Sequence, residues 1–123
     1  MRALVLDDSR AMRMILGRIL REVGFDVTEA ADGREGLDML THMAVPDLAL
    51  IDWNMPVMDG LTFVKEVRAI EAYASMTLMM VTTESEQSQI VRALAAGAHE
   101  YVIKPFTSEA IVDKLSLLGL ASV

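Results

Sequence analysis

Four short stretches of this sequence are apolar throughout, without the polar alternation of a strand that has one face in water. They are Ala3 to Leu6, Leu48 to Ile51, Leu78 to Val81 and Tyr101 to Ile103. Runs of this length are typical of strands that are covered on both faces, as in parallel sheets. A weaker strand is predicted at Phe25 to Ala30, and we expect it at an edge of the sheet.

Between these runs, apolar residues recur at helical spacing. The first helix is the clearest case, because its apolar positions end at Val23 and Gly24 follows as a typical helix end. The other predicted helices are Gly33 to Met43, Leu61 to Ile70, Glu86 to Ala96 and Ser108 to Leu118. Strict alternation of strand and helix predicts one α/β domain over 1–123, with parallel strands, right-handed crossovers and helices on both faces. The last five residues, Gly119 to Val123, carry no clear pattern.

The composition excludes several kinds of protein. Eleven Lys and Arg against eighteen Asp and Glu give a net charge of −7, so phosphate backbones and anionic lipid would repel the chain. The sequence has no Cys, which removes disulfides, thiolate metal sites and Cys nucleophiles. No apolar stretch approaches the roughly 18 residues of a membrane span. We therefore expect a cytoplasmic protein that neither binds nucleic acid directly nor inserts into a membrane. The ten Met residues fall mostly within strand or helix patterns, which favours core packing over a binding groove.

Polar side chains follow four of the predicted strands at their carboxyl ends. In chain order these groups are Asp7-Asp8, Asp52-Trp53-Asn54, Thr82-Thr83-Glu84 and Lys104-Pro105. Ligands of an open α/β sheet bind at that edge, so we expect three carboxylates, a hydroxyl and an ammonium to converge there. Clustered carboxylates repel one another, and a hard divalent cation relieves this, which makes Mg²⁺ with a phosphoryl ligand the natural occupant.

Each of these residues also has a simpler interpretation. Residues Asp7 to Ser9 precede a helix and would serve as caps, since Asp and Ser are favoured there. Asp52 and Thr82 would serve as turn residues, and a lone Lys104 is most often a solvated surface residue. Their joint placement at successive strand ends favours a common site.

Other common sites are missing from the sequence. No glycine-rich loop of the nucleotide-binding type follows a strand, and no Ser-His-Asp set is apparent. His42 and His99 have no partner at metal-ligand spacing, so we interpret both as surface or interface residues.

The segments LDDS, LIDWNMPVMDG, VTTES and YVIKPF, in this order and spacing, resemble the receiver domain of bacterial two-component response regulators. The resemblance covers nearly the whole chain and is strongest to the stand-alone chemotaxis regulators of the CheY-like type. It implies a flavodoxin-like, doubly wound (βα)5 fold with strand order 2-1-3-4-5. It also implies a signalling protein rather than an enzyme, a monomer or weak dimer that is phosphorylated by a sensor histidine kinase and acts on a downstream protein.

The same resemblance implies a role for each site residue. Asp52 is the phosphoacceptor, and Asp8, Asp52 and the backbone carbonyl of Asn54 bind Mg²⁺ directly, with Asp7 acting mainly through a water. Lys104 pairs with the phosphoryl oxygens, and the Lys104-Pro105 bond is typically cis in this family.

The resemblance further implies how phosphorylation is transmitted. The Thr82 hydroxyl moves toward the phosphoryl group and hydrogen-bonds to it, and the aromatic Tyr101 turns inward into the space behind it. The face formed by helix four, strand five and helix five changes as a result. Without the resemblance, Tyr101 would be interpreted as a half-buried strand aromatic. Asn54, Thr83 and Glu84 are positions that modulate the reaction, and Thr83 is bulkier than the Ala or Gly often found there.

Two alternatives to a stand-alone regulator remain. One is a receiver that controls the output module of a longer transcription factor or enzyme, although the chain ends soon after helix five. The other is a phosphatase or hydrolase, which no second acid or base beside Asp52 supports. The sequence also departs from chemotaxis members that bind the flagellar switch, which often carry lysines where Glu86, Gln87 and Ser88 stand here, although Lys114 remains.

Overall fold

The computed structural model describes residues 1–121 and shows strands and helices in strict alternation. Their bounds are β1 Arg2–Leu6, α1 Arg10–Val23, β2 Asp26–Ala30, α2 Gly33–Leu40, β3 Leu48–Ile51, α3 Gly60–Arg68, β4 Thr77–Thr82, α4 Gln87–Ala96, β5 Glu100–Ile103 and α5 Ser108–Leu117, with a short 3₁₀ helix, η1, at Glu71–Tyr73. All strand pairs are parallel, in the order β2-β1-β3-β4-β5. The predicted fold class and strand order are confirmed.

The sheet is covered on both faces, which explains why its strands show no polar alternation. In β1, Leu4 and Leu6 pack into a cluster with α2, α3 and α4, whereas Ala3 and Val5 pack into a second cluster with α1 and α5. All four side chains are buried. β2 pairs only with β1 and has three half-buried residues, so its predicted place at the sheet edge is confirmed.

Most helices begin and end at residues whose chemistry fits the position. Ser9 caps α1 by accepting a hydrogen bond from the Met12 amide, so the capping role falls to this residue of the Asp7 to Ser9 group. Gly24 ends α1 with a φ of 115°, a left-handed conformation that glycine adopts without steric penalty. Asp32, Asp59 and Thr107 cap α2, α3 and α5 in the same way as Ser9.

The predicted C-terminal part of α2 is wrong, because the helix ends at Leu40 instead of continuing to Met43. The Thr41 hydroxyl donates to the Asp38 carbonyl at 2.7 Å, and the Thr41 amide donates to the same carbonyl. These short bonds satisfy a helix-end carbonyl and tighten the last turn.

The apolar spacing of α4 indicated the helix correctly but not its buried side. Val91 and Leu94 are 55% and 43% exposed, and the fully buried residue of this helix is Ala93. At the other end of the chain, Gly119 has a φ of 76° and the Leu120 amide donates to the Leu115 carbonyl. The segment after α5 thus has a helix-end structure that the sequence pattern did not reveal, while Ser122 and Val123 lie outside the described residues. Within 1–121, none of the helices has the length and apolar character needed to cross a bilayer.

Candidate functional site

The two central strands bring two carboxylates side by side. β1 and β3 are neighbours with Leu6 opposite Ile51, so Asp7 and Asp52, which follow them, lie next to each other at the carboxyl edge. Asp7 is 1% exposed and Asp52 is 7% exposed. Together with the exposed Asp8 they offer carboxylate oxygens within 4.8 Å of one another.

Lys104 supplies positive charge to this cluster. Its Nζ donates to Asp7 Oδ2 at 2.8 Å and to Asp52 Oδ2 at 3.2 Å. Its backbone amide donates to the Thr82 carbonyl, and the Lys104-Pro105 bond is cis, as expected for this position. Burial by itself would lower the pKa of Lys104, but the hydrogen bond to Asp7 and the charge of Asp52 outweigh it, and the pKa is raised.

Three carboxylates and one ammonium leave the cluster with an excess of negative charge. Closely spaced carboxylate oxygens are the ligands that Mg²⁺ takes in proteins, so the residues present fit this ion. Asn54 lies beside the cluster, where its backbone amide donates to Asp52 Oδ1 at 3.4 Å. Its side chain donates to Glu84 Oε1 at 3.2 Å, which joins the loops after β3 and β4.

Thr82 and Tyr101 lie near the same edge, and the hydroxyls of both hydrogen-bond to the backbone of Glu84. Thr82 is fully buried, and its hydroxyl accepts a hydrogen bond from the Glu84 amide at 3.4 Å, the local turn considered from the sequence. Tyr101 is buried rather than half-buried, and its hydroxyl donates to the Glu84 carbonyl at 2.7 Å. Burial, followed by the charges of Glu84 and Asp52, raises the pKa of Tyr101 to about 12. Thr83 points to solvent.

The sequence patterns missed a contact between the Asp52 loop and α4. Arg92 of α4 places its guanidinium 5.8 Å from the centre of the Trp53 ring, within the range of a cation-π interaction. Its Nη1 also donates to Gln89 Oε1 at 2.8 Å. No motif signals this pair, because it depends on how α4 packs beside a loop far away in sequence.

The loop between β3 and α3 is closely packed at one end and strained in the middle. The Gly60 amide donates to the Trp53 carbonyl, and a Cβ at Gly60 would collide with the Asp52 carbonyl. Val57 has a φ of 66° and is 83% exposed, inside a γ-turn closed by the Met58 amide and the Pro56 carbonyl. A positive φ is unfavourable for a β-branched residue.

Comparison with known proteins gives relatives that match nearly the whole chain. The sequence matches the family described as response regulator receiver domain over residues 3–116. A chemotaxis protein CheY homolog of Campylobacter jejuni is 44% identical, with 99% of this chain and 95% of the relative covered. The chemotaxis protein CheY of Pseudomonas aeruginosa is 41% identical, with 94% and 93% covered.

Solved structures agree with the sequence comparison. The chemotaxis response regulator CheY4 of Vibrio cholerae has a TM-score of 0.87 at 35% identity, covering 95% of this chain and 97% of that chain. A CheY-like response regulator receiver domain protein of Methanospirillum hungatei has a TM-score of 0.86 at 29% identity, covering 95% and 91%. The resemblance of the four motifs is thus confirmed, and the chain belongs to the response regulator receiver domain family, in close relation to the CheY chemotaxis regulators.

Proposed function

We propose that this chain is a phosphorylation-dependent switch in which Asp52 accepts a phosphoryl group from a phosphohistidine of a sensor histidine kinase. The observation that carries the proposal is the position of Lys104, whose ammonium contacts the buried Asp7 and Asp52 together. Such a group neutralises charge where a phosphoryl oxygen would arrive. The family relation supports the same reaction class.

The transfer needs one nucleophile and little acid-base chemistry. An Asp52 carboxylate oxygen attacks phosphorus, the phosphorus-nitrogen bond to the kinase imidazole breaks, and that nitrogen keeps the electron pair. With the other ring nitrogen protonated, the products are an aspartyl phosphate and a neutral histidine. Positioning and charge neutralisation dominate such in-line transfers. Lys104 then exchanges part of its contact with Asp52 for the new phosphoryl oxygens, and Thr82 reorients its hydroxyl toward them.

The carboxylates of Asp7, Asp8 and Asp52, with the carbonyl of Asn54, are the groups that would hold Mg²⁺. When bound, this ion supplies positive charge that offsets the repulsion among the carboxylates and the incoming phosphoryl oxygens. Asp7 stays hydrogen-bonded to the Ser9 amide through Oδ1, which fixes its orientation.

The output runs from the β4–α4 loop to α4, β5 and α5. Tyr101, Thr82 and Asn54 all contact Glu84, so a displacement of the loop that carries Glu84 reaches each of them. We infer that the α4-β5-α5 face binds the downstream protein and that Asn54, Thr83 and Glu84 set the rate of phosphoryl turnover. The relatives are described as chemotaxis proteins of the CheY type, which favours a regulator of that kind over the receiver of a transcription factor.

The test is phosphorylation by acetyl phosphate with Mg²⁺, followed by intact mass spectrometry. Wild type is expected to gain one phosphoryl group, and Asp52→Asn none. Asp113→Asn is the matched control, because Asp113 is an exposed carboxylate on α5. Phosphorylation of Asp52→Asn to the wild-type extent would show that the phosphoacceptor is another residue.

A further inference from the structure

His99 extends the pairing of β4 and β5 by one residue at the amino ends of these strands. Asp52 lies at the opposite, carboxyl ends of the strands. The last paired residues at this end are Met79 and Glu100. Beyond them, the His99 amide donates to the Leu78 carbonyl at 2.7 Å, and the Leu78 amide donates to the imidazole Nδ1 of His99 at 3.0 Å. The imidazole therefore takes the place of a backbone carbonyl in the ladder.

Arg68, at the end of α3, is held by the same region. Its Nε donates to the Gly97 carbonyl at 3.0 Å, and its Nη2 donates to the Met76 carbonyl at 2.8 Å. The same Nη2 lies 3.3 Å from His99 Nδ1. We call Arg68, Leu78, Gly97 and His99 the His99 cluster. It joins α3 to β4 and to the turn between α4 and β5.

The geometry of the His99 cluster fixes the protonation state of the imidazole. Nδ1 faces two donors, the Leu78 amide and the Arg68 guanidinium, so it must be the nitrogen without a proton. A protonated ring would turn an N–H toward both donors. It would also place a second positive charge beside Arg68.

No acidic group in the neighbourhood offsets that charge within the part of the chain that the structure describes. Glu100, the next residue, is paired with Lys114 at 3.1 Å. Glu66 of α3 and Glu71 of η1 form no ion pair with Arg68 or His99. Leu78 of β4 and Gly97 of the α4–β5 turn contact these two side chains through backbone atoms. Burial, followed by the charge of Arg68, lowers the pKa of His99.

We propose that the His99 cluster is a pH-sensitive attachment, which holds the α4–β5 turn against α3 while His99 is neutral and opens when the imidazole is protonated. Protonation breaks the hydrogen bond from the Leu78 amide to Nδ1 of His99. The new positive charge on the ring also repels the Arg68 guanidinium from the Gly97 carbonyl. His99 keeps part of its surface in solvent although its ring is partly desolvated by its neighbours, so a proton reaches the ring without unfolding of the sheet. Because α4 and β5 belong to the output face, acidification acts on that face from the side opposite to Asp52; this last step rests on the proposed function.

The direction of the effect follows from linkage. The unfolded chain protonates His99 near the ordinary value of about 6.5, whereas the folded chain resists protonation. The free energy of unfolding therefore falls as the pH drops below about 6.5, and it levels off once the folded protein is protonated as well.

The experiment is an NMR titration of the full, unphosphorylated chain from pH 7.5 to 5, with wild type, His99→Asn and His42→Asn. In wild type, the neutral His99 ring is expected to carry its proton on Nε2, and the Leu78 and Gly97 amide shifts are expected to follow the titration of His99. In His99→Asn, a side-chain oxygen can accept from the Leu78 amide but does not titrate, so both amide shifts should become pH-independent. His42 is exposed and its Nδ1 contacts Thr41 and the Asp38 carbonyl, away from the cluster, so His42→Asn should match wild type.

Two results would overturn the proposal. One is a neutral His99 with its proton on Nδ1, and the other is a Leu78 shift that still titrates in His99→Asn. Repeating the titration with beryllofluoride bound tests the link to the output face. If the cluster titrates as expected but the shifts of α4 caused by beryllofluoride do not change with pH, the attachment stands and its connection to the switch is wrong. Absence of any shift with beryllofluoride at pH 7.5 would instead contradict the proposed function.

Discussion

Replacing Lys104 with Met removes the cation that forms ion pairs with the carboxylates of both Asp7 and Asp52 and leaves a side chain of similar length. The cost depends on burial. The Lys104 side chain is 12% exposed, and the two carboxylate side chains are 1% and 9% exposed. Removing one partner of a buried ion pair costs about 3 to 5 kcal/mol, because the remaining charge is left without compensation. We expect a loss of about 3 kcal/mol in the free energy of unfolding.

Lys114→Met is the matched control for this substitution. Lys114 forms a single ion pair with Glu100 at 3.1 Å, and the side chains are 36% and 27% exposed, so solvent screens their attraction. Exposed pairs of this kind contribute about 0 to 1 kcal/mol. The ratio of the two losses in the free energy of unfolding therefore tests whether burial decides how much each ion pair stabilises the protein.

Urea denaturation at pH 7.5 in chelator measures both losses. With a slope of about 1.5 kcal/mol per M, the Lys104→Met midpoint should fall by about 2 M and the Lys114→Met midpoint by less than about 0.7 M. Mg²⁺ at about 100 times its Kd should restore about 2.7 kcal/mol to Lys104→Met. Equal losses in the two variants, or a Lys104→Met protein that Mg²⁺ does not stabilise, would refute this account of the cluster.

Further expectations concern the loop after β3 and the output region. Val57→Gly should stabilise the protein by about 1 kcal/mol, because relief of about 1 to 3 kcal/mol of strain exceeds the backbone entropy of glycine, about 0.5 to 1 kcal/mol. Val45→Gly, at a loop valine without a positive φ, should destabilise it, and thermal melts compare the two. Tyr101 should keep its proton up to about pH 12, as followed by ultraviolet absorbance, so the stability that it contributes declines as the pH rises above about 10. Tyr101→Phe should remove that part of the alkaline decline, and an unchanged alkaline profile would contradict the burial of the phenol.

The fold was predictable because strands that are buried on both faces are apolar throughout, and this pattern is visible in the sequence. Ala3 to Leu6 are apolar because each side of β1 meets a layer of helices, and Gly24 is needed where α1 ends at a positive φ. Helix ends and buried helix faces were less predictable. Spacing shows that residues such as Val91 and Leu94 share a helix, but it does not show whether the neighbouring layer covers them.

The site was predictable to the extent that strand ends define it. Asp7, Asp52 and Lys104 follow strands whose carboxyl ends meet, so their contact follows from the topology. The contacts of Arg92 with Trp53 and of His99 with Leu78 were not predictable. Each depends on the rotamer of one long or aromatic side chain and on the packing of a particular turn, and neither leaves a periodic pattern.

The ion pairs of Lys104 also set an order in time during synthesis of the protein. Lys104 follows Asp52 by 52 residues and Asp7 by 97 residues. At about 5 to 20 residues per second, the ribosome needs about 3 to 10 s to proceed from Asp52 to Lys104. Throughout this interval the nascent chain carries Asp7 and Asp52 without Lys104, so the cluster of these three side chains cannot assemble before β5 has left the ribosome. The cluster is therefore completed only after β1 to β5 and α4 have been synthesised, and of the proposed output face only α5 follows Lys104 in the chain.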